Sequence, residues 1–242
     1  MGSLTDIHCH ALFGVDDGAR DIAQSLEMLR QMRNEGIGKV ILTPHYHGGH
    51  MQPHIDTIRN NFEELSDAAS FDPDLANMEL YLGCEIYYYP SITQWLDEGR
   101  VSSLADSRFV LLEFGYTMDE RTIREGVSRV ASEGFYPIVA HVERYKKLVG
   151  NLKAVDDLIS RGAYIQINSE ALRERFKIRS FAKKLLKNEM VHFVATDAHD
   201  TFSRAPRLFE AAEYIRKHYG GDLYGSIFFD NPAMIINKQY RR

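Results

Sequence analysis

At 242 residues, with 44% hydrophobic and 26% charged side chains, the chain has the length and composition of one large globular domain with a well-buried core. Its net charge of -5 gives no sign of a nucleic-acid face, and two cysteines, Cys9 and Cys84, are too few for a disulfide framework or a thiolate zinc site. No apolar run reaches transmembrane length and no charged-then-apolar leader opens the chain, so the expectation is a cytoplasmic protein with a single domain over residues 1–242 and no membrane insertion.

In chain order, the first apolar run, "LTDIHCH" (4–10), reads as a strand that ends in two histidines. It is followed by "VDDG" and then by "SLEMLRQMRNEG" (25–36), where Leu26, Met28, Leu29 and Met32 form a core-facing helical stripe and Gly36 suits a C-terminal cap. Further strands are expected at "KVILTPH" (39–45), "MELYLGCE" (78–85) and "RFVLLEF" (108–114). A second clear helix follows at "TIREGVSRVASEG" (122–134), then strands at "YPIVAHVE" (136–143), "AYIQIN" (163–168) and "VHFVATDAH" (191–199). Strands that alternate with helices imply a parallel sheet with crossover helices, and seven of them fit a closed or distorted barrel better than an open sheet.

Every strand but the sixth delivers a ligand-type residue at its C-terminal end: His8 and His10, His45, Glu85, Glu113, His141, and finally Asp197 with His199. In a parallel α/β barrel those ends share the rim where active sites are built. His8 and His10 are two apart and so point the same way, as do Asp197 and His199, while Cys9 and Ala198 point opposite. A lone histidine or glutamate at a strand end is more often a solvated or core residue. The joint pattern is different, because gathering so many ionisable groups is costly unless cations compensate them. Imidazole and carboxylate without thiolate suit manganese, iron or zinc.

"DIHCH" with "VDDG", then "TPH", "GCE", "LLEF", "AHVER" and "TDAH", resembles the polymerase and histidinol phosphatase (PHP) family, and within it the bacterial metal-dependent protein-tyrosine phosphatases of capsule and exopolysaccharide loci. The resemblance runs from about Thr5 to Arg207. It implies a distorted (β/α)7 TIM-like barrel of PHP type with a three-metal centre of manganese, held by His8, His10, Asp17, His45, Glu85, Glu113, His141, Asp197 and His199. It also implies phosphate-holding arginines at Arg144 and Arg204, and as substrate a phosphotyrosine protein, the tail of a cognate bacterial tyrosine kinase. Carboxylates can bridge ions ~3.5–4 Å apart, and Glu85 and Glu113 are the candidates.

Water activated by metal would attack phosphorus, with the arginines neutralising the equatorial oxygens. A phenolic leaving group of pKa about 10 departs without a strong general acid, and none is evident. A thiol route fails, because that chemistry wants an arginine at a fixed short distance after the cysteine, where Val15 and Pro90 stand. Asp16 reads as a capping or supporting group. His47, His50 and His54, in the glycine-rich loop after His45, read as exposed or substrate-contacting rather than as ligands. Tyr87–Tyr89 either line a groove or simply pack. The alternatives are a histidinol-phosphate or other small phosphomonoester phosphatase, with different rim loops, and a non-catalytic PHP metal-binding module.

Overall fold

The computed structural model describes residues 3–48 and 53–237; His50 of the histidine-rich loop lies outside the described residues. The strands are β1 (Leu4–Cys9), β2 (Ile37–Leu42), β3 (His45–Tyr46), β4 (Glu79–Leu82), β5 (Glu85–Tyr87), β6 (Phe109–Glu113), β7 (Tyr136–Val139), β8 (Tyr164–Asn168) and β9 (Phe193–Ala195), and every pairing between them is parallel. They occupy the seven expected positions, because β2 with β3, and β4 with β5, are halves of single predicted strands. The first break falls at Thr43-Pro44, where proline has no N–H to give the ladder. Register survives the breaks, since Gly83 N–H donates to the Leu42 carbonyl at 2.8 Å and Glu85 N–H to the Pro44 carbonyl at 3.0 Å.

The sheet curls until its last strand meets its first. Asp197 N–H donates to the His8 carbonyl at 2.9 Å, and His10 N–H to the Ala198 carbonyl at 2.8 Å. The buried Asp6 carboxylate clasps the same seam, accepting from Thr196 N–H at 3.0 Å and from the Thr196 hydroxyl. The result is the distorted α/β barrel expected from the strand count.

Alternation along the strands divides the core in two. Val110, Leu112, Val139, Ile165, Ile167 and Val194 pack outward with the helices. Phe109, Leu111, Ile138, Ala140, Phe193 and Ala195 fill the interior, joined by Ile235 near the C-terminal end and Leu104 from a short turn. Continuing the inward rows of β6 and β9 leads to Glu113 and Asp197, so the apolar plug gives way to a polar rim at one end.

Helix α1 (Ile22–Asn34) is capped by the Asp21 carboxylate, which accepts from Gln24 N–H at 2.8 Å. It buries Ser25, Met28, Leu29 and Met32, with Leu26 half-buried on the flank, and Gly36 takes the positive φ of 81° expected of its cap. Helices α2 (Ile55–Phe71), α3 (Ile92–Asp97), α4 (Glu120–Ser132), α5 (Leu152–Ser160), α6 (Phe176–Lys187) and α7 (Phe209–Tyr219) follow. Among the described residues no helix is long and apolar enough to cross a membrane.

Candidate metal centre

The eight strand-end residues singled out above converge at this rim. Glu85 lies at the middle. Its Oε2 is 3.4 Å from His8 Nε2, 3.3 Å from His10 Nε2 and 2.9 Å from His45 Nδ1, and its Oε1 is 2.7 Å from His141 Nε2. Asp197 Oδ1 is 3.4 Å from both His8 Nε2 and His10 Nε2. Glu113 stands further out, with oxygens 3.9 Å from His45 and His141. Asp17, placed by family resemblance, is exposed and holds Oδ1 3.5 Å from the Nε2 atoms of His45 and His199, as a lid on the solvent side.

Among the described residues, four groups bring donor atoms within 4.8 Å of one another: His10, Asp17, His45 and His199; His8, His10, Glu85 and Asp197; Glu85, Glu113 and His141; and His45, His47 and Glu113. Glu85 and Glu113 each belong to two groups, as do His10 and His45, so the groups overlap into one cluster. Glu85 Oε2, His45 Nδ1 and His199 Nε2 are buried without a hydrogen-bond partner. His45 Nδ1 and Glu85 Oε2 are therefore close without being aligned for a bond. Buried lone pairs facing one another are costly unless a cation lies among them, so this donor set fits metal.

The imidazoles are oriented from behind. His8 Nδ1 faces Gln166 Oε1 at 3.3 Å, His10 Nδ1 faces Asp16 Oδ2 at 2.7 Å, and His199 Nδ1 faces the Asp197 carbonyl at 2.9 Å. A donor at Nδ1 leaves the Nε2 lone pair for the centre. The "VDDG" stretch supports this: Asp16 also accepts from His45 N–H at 3.0 Å and Gly18 N–H at 2.9 Å, and a Cβ on Gly18 would overlap the His10 carbonyl. Two ligand-type residues sit in left-handed backbone, His141 at φ 30° and Asp197 at φ 53°. Such conformations cost of order 1–3 kcal/mol each and persist where the surrounding structure imposes them.

Burial and charge move the two central carboxyls in opposite directions. Against burial, the surrounding histidines, His8 first, hold Glu85 well below the usual range. Burial, reinforced by the Glu85 charge, raises Glu113 to about 7. Burial also pushes the Cys9 thiol up and Cys84 to about 12, so neither forms a thiolate nucleophile at neutral pH.

Arg144 and Arg204 meet at one atom. Arg144 Nη1 is 2.8 Å and Arg204 Nη2 3.0 Å from Asp197 Oδ2, which also accepts from Asn168 Nδ2 at 2.8 Å. One oxygen of Asp197 thus serves the histidine side and the other serves the cations.

The remaining rim residues divide by role. His54 caps α2, its Nδ1 accepting from Asp56 N–H at 3.3 Å. His47 lies beside His45, their rings 5.3 Å apart, and faces Tyr87, also at 5.3 Å. Tyr88 packs into the core against Phe114, while Tyr89 stands half out against Trp95, so the tyrosine run both packs and lines.

The strand β8 was expected, but the role of its two amides was not. Buried Gln166 accepts from His141 N–H at 2.7 Å and donates through Nε2 to Asn168 Oδ1 at 2.8 Å, and Asn168 passes the chain to Asp197. The signal was available in "AYIQIN", whose alternate positions 166 and 168 carry amides on the inward face. Gln166→Leu leaves two buried N–H groups without an acceptor and frees the His8 ring. Metal affinity, measured by chelator competition, is expected to fall ~10–100-fold; wild-type affinity in this variant would show the amide chain to be inert.

A family model described as "Capsular polysaccharide synthesis, CpsB/CapC" matches residues 4–237. The tyrosine-protein phosphatase CpsB of Streptococcus pneumoniae is 33% identical over 243 residues, covering 98% of this chain and 99% of that protein. The tyrosine-protein phosphatase YwqE of Bacillus subtilis is 31% identical over 238 residues, covering 98% and 92%. A solved structure from work on YwqE and CpsB, described there as unique metal-dependent tyrosine phosphatases, superposes with a TM-score of 0.89 at 28% identity, covering 99% of this chain and 96% of the other. The phosphotriesterase homology protein of Escherichia coli, at 10% identity and a TM-score of 0.62, shares the fold.

Proposed function

The chain belongs to the CpsB/CapC family of capsular polysaccharide synthesis, and from that premise we propose that the rim cluster is its catalytic centre. The protein is a metal-dependent tyrosine-protein phosphatase, a phosphoric monoester hydrolase. We further propose three manganese ions held by His8, His10, Asp17, His45, Glu85, Glu113, His141, Asp197 and His199. The buried, unpartnered Oε2 of Glu85 amid three imidazoles, with a fourth on its Oε1, carries this reading.

When bound, the cations supply Lewis acidity toward phosphoryl oxygens and lower the pKa of water to near 7. The chain does the rest by holding and orienting. Asp16 and Gln166 keep His10 and His8 in the tautomer that presents Nε2 inward. Arg144 and Arg204 turn guanidinium forks toward the same side of Asp197, where they can pair with phosphoryl oxygens. The departing phenolate, with a pKa of about 10, asks little of a general acid. The substrate in this reading is the tyrosine-bearing tail of a bacterial kinase, met in the cytoplasm.

Chelation with EDTA should abolish hydrolysis of 4-nitrophenyl phosphate and of a phosphotyrosine peptide, and manganese should restore both; histidinol phosphate should turn over far more slowly. Cys9→Ser and Cys84→Ser should keep most activity. Loss of turnover in either cysteine variant, with its fold intact, would refute the water-attack route.

A further inference from the structure

Beside the metal centre, and sharing Arg144 with it, runs a groove lined by Tyr116, Glu143, Arg144, Lys146, Val149, Lys177 and Ile178. Its floor is apolar: Val149 and Ile178 are half-buried against the core, and the exposed Tyr116 ring meets His141 edge-on with centroids 6.1 Å apart. Its rim is cationic. Lys146 and Lys177 are exposed and, among the described residues, neither is in an ion pair. The one carboxyl in the lining, Glu143, is buried and accepts from Asn168 N–H at 3.0 Å.

The charge extends beyond the groove. Residues 173–187 hold seven cations and one acid in a chain whose net charge is -5. Helix α6 buries Phe181, Ala182, Leu185 and Leu186 and turns Lys177, Arg179, Lys184 and Lys187 outward, while half-buried Lys183 lies over the Tyr214 ring. A solvated cationic face is common, but this one begins at the groove that Arg144 closes.

We propose that this groove receives the polypeptide flank of the phosphotyrosine, an acidic segment whose carboxylates face Lys146 and Lys177 and whose apolar side chain lies on Val149 and Ile178. The inference rests on the phosphatase reading and adds where the peptide lies and which sequences are preferred. Because Arg144 belongs to both sites, a phosphoryl group held by it places the adjoining residues, at about 3.3 Å per extended residue, over Tyr116 and between the lysines. A net-acidic protein gains a cationic track for an acidic peptide there and nowhere near Glu79 or Glu98, whose neighbours Lys39 and Arg100 are already paired.

The test compares kcat/KM for two phosphotyrosine peptides that differ only in flanks of Glu or of Gln, alongside 4-nitrophenyl phosphate. Wild type should prefer the acidic peptide by about tenfold at low salt, with the preference shrinking as ionic strength rises. Lys146→Glu/Lys177→Glu should bring that ratio to one or below. Equal rates for the two peptides in wild type, or an unaltered ratio in the double variant, overturn the groove alone; no turnover of 4-nitrophenyl phosphate by metal-loaded wild type overturns the phosphatase reading and the inference with it. Vesicles of phosphatidylglycerol and phosphatidylcholine supply the remaining arm. Binding to them that the double variant loses, with its peptide ratio still at the wild-type value, assigns the surface to lipid and overturns the proposal.

Discussion

Glu85→Gln should reduce hydrolysis of aryl phosphate by ~10³-fold or more and remove at least one ion per chain, because in the proposed centre several kcal/mol of transition-state stabilisation would depend on ions held by this carboxylate. Glu85 is fully enclosed and its two oxygens lie between 2.7 and 3.4 Å from nitrogens of four histidines. Glutamine has nearly the same shape, so packing survives. Its charge does not, and its amide hydrogens would face imidazole nitrogens that should meet a cation. Circular dichroism and melting temperature separate loss of metal from loss of fold. A folded Glu85→Gln protein with its full ion complement and activity within tenfold of wild type would remove Glu85 from the centre.

Arg144→Ala and Arg204→Ala should each lower kcat/KM for aryl phosphate by ~10²-fold, the size of effect seen when one charge-stabilising donor is removed, while metal content stays near wild type. The sharing of Asp197 Oδ2 makes this separation of effects possible. When one arginine is removed, the other and Asn168 Nδ2 still hold that oxygen, so Asp197 Oδ1 stays among the histidines. Arginine cannot itself ligate a cation. Lysine in either position should recover only part of the loss, since a point charge cannot match two phosphoryl oxygens at once. If both alanine variants instead lost their ions, the arginines would be supports for Asp197 and not partners of the phosphoryl group. The idea is falsified if both variants work within a factor of about two of wild type, a change of only ~0.4 kcal/mol.

The barrel and most of its rim were legible in the sequence because both obey a period of two. His8 with His10, and Asp197 with His199, announce a shared face by spacing alone, and the strand ends bring that face to one rim. The breaks at Pro44 and before Glu85 were not legible, since an apolar run reads the same whether or not its ladder is interrupted. Gln166 and Asn168 were passed over because amides carry no metal-ligand signature; their role comes from hydrogen bonds to residues 25 to 158 positions away. The pairing of Arg144 and Arg204 through one oxygen is likewise a property of the folded chain, in which turns after two different strands arrive at one point.

The seam between β1 and β9 bears on how the protein is made. The Asp6–Thr196 clasp joins residues 190 positions apart, and His8 and His10 on one side of the seam meet Asp197 and His199 on the other. On the ribosome the partners across this seam, 190 positions apart, are made roughly 10–40 s after one another at 5–20 residues per second. Throughout that interval the nascent chain lacks Asp197 and His199, so the proposed centre cannot be assembled around His8 and His10. In the proposed centre, metal could therefore be loaded only after residues 197–199 have been made.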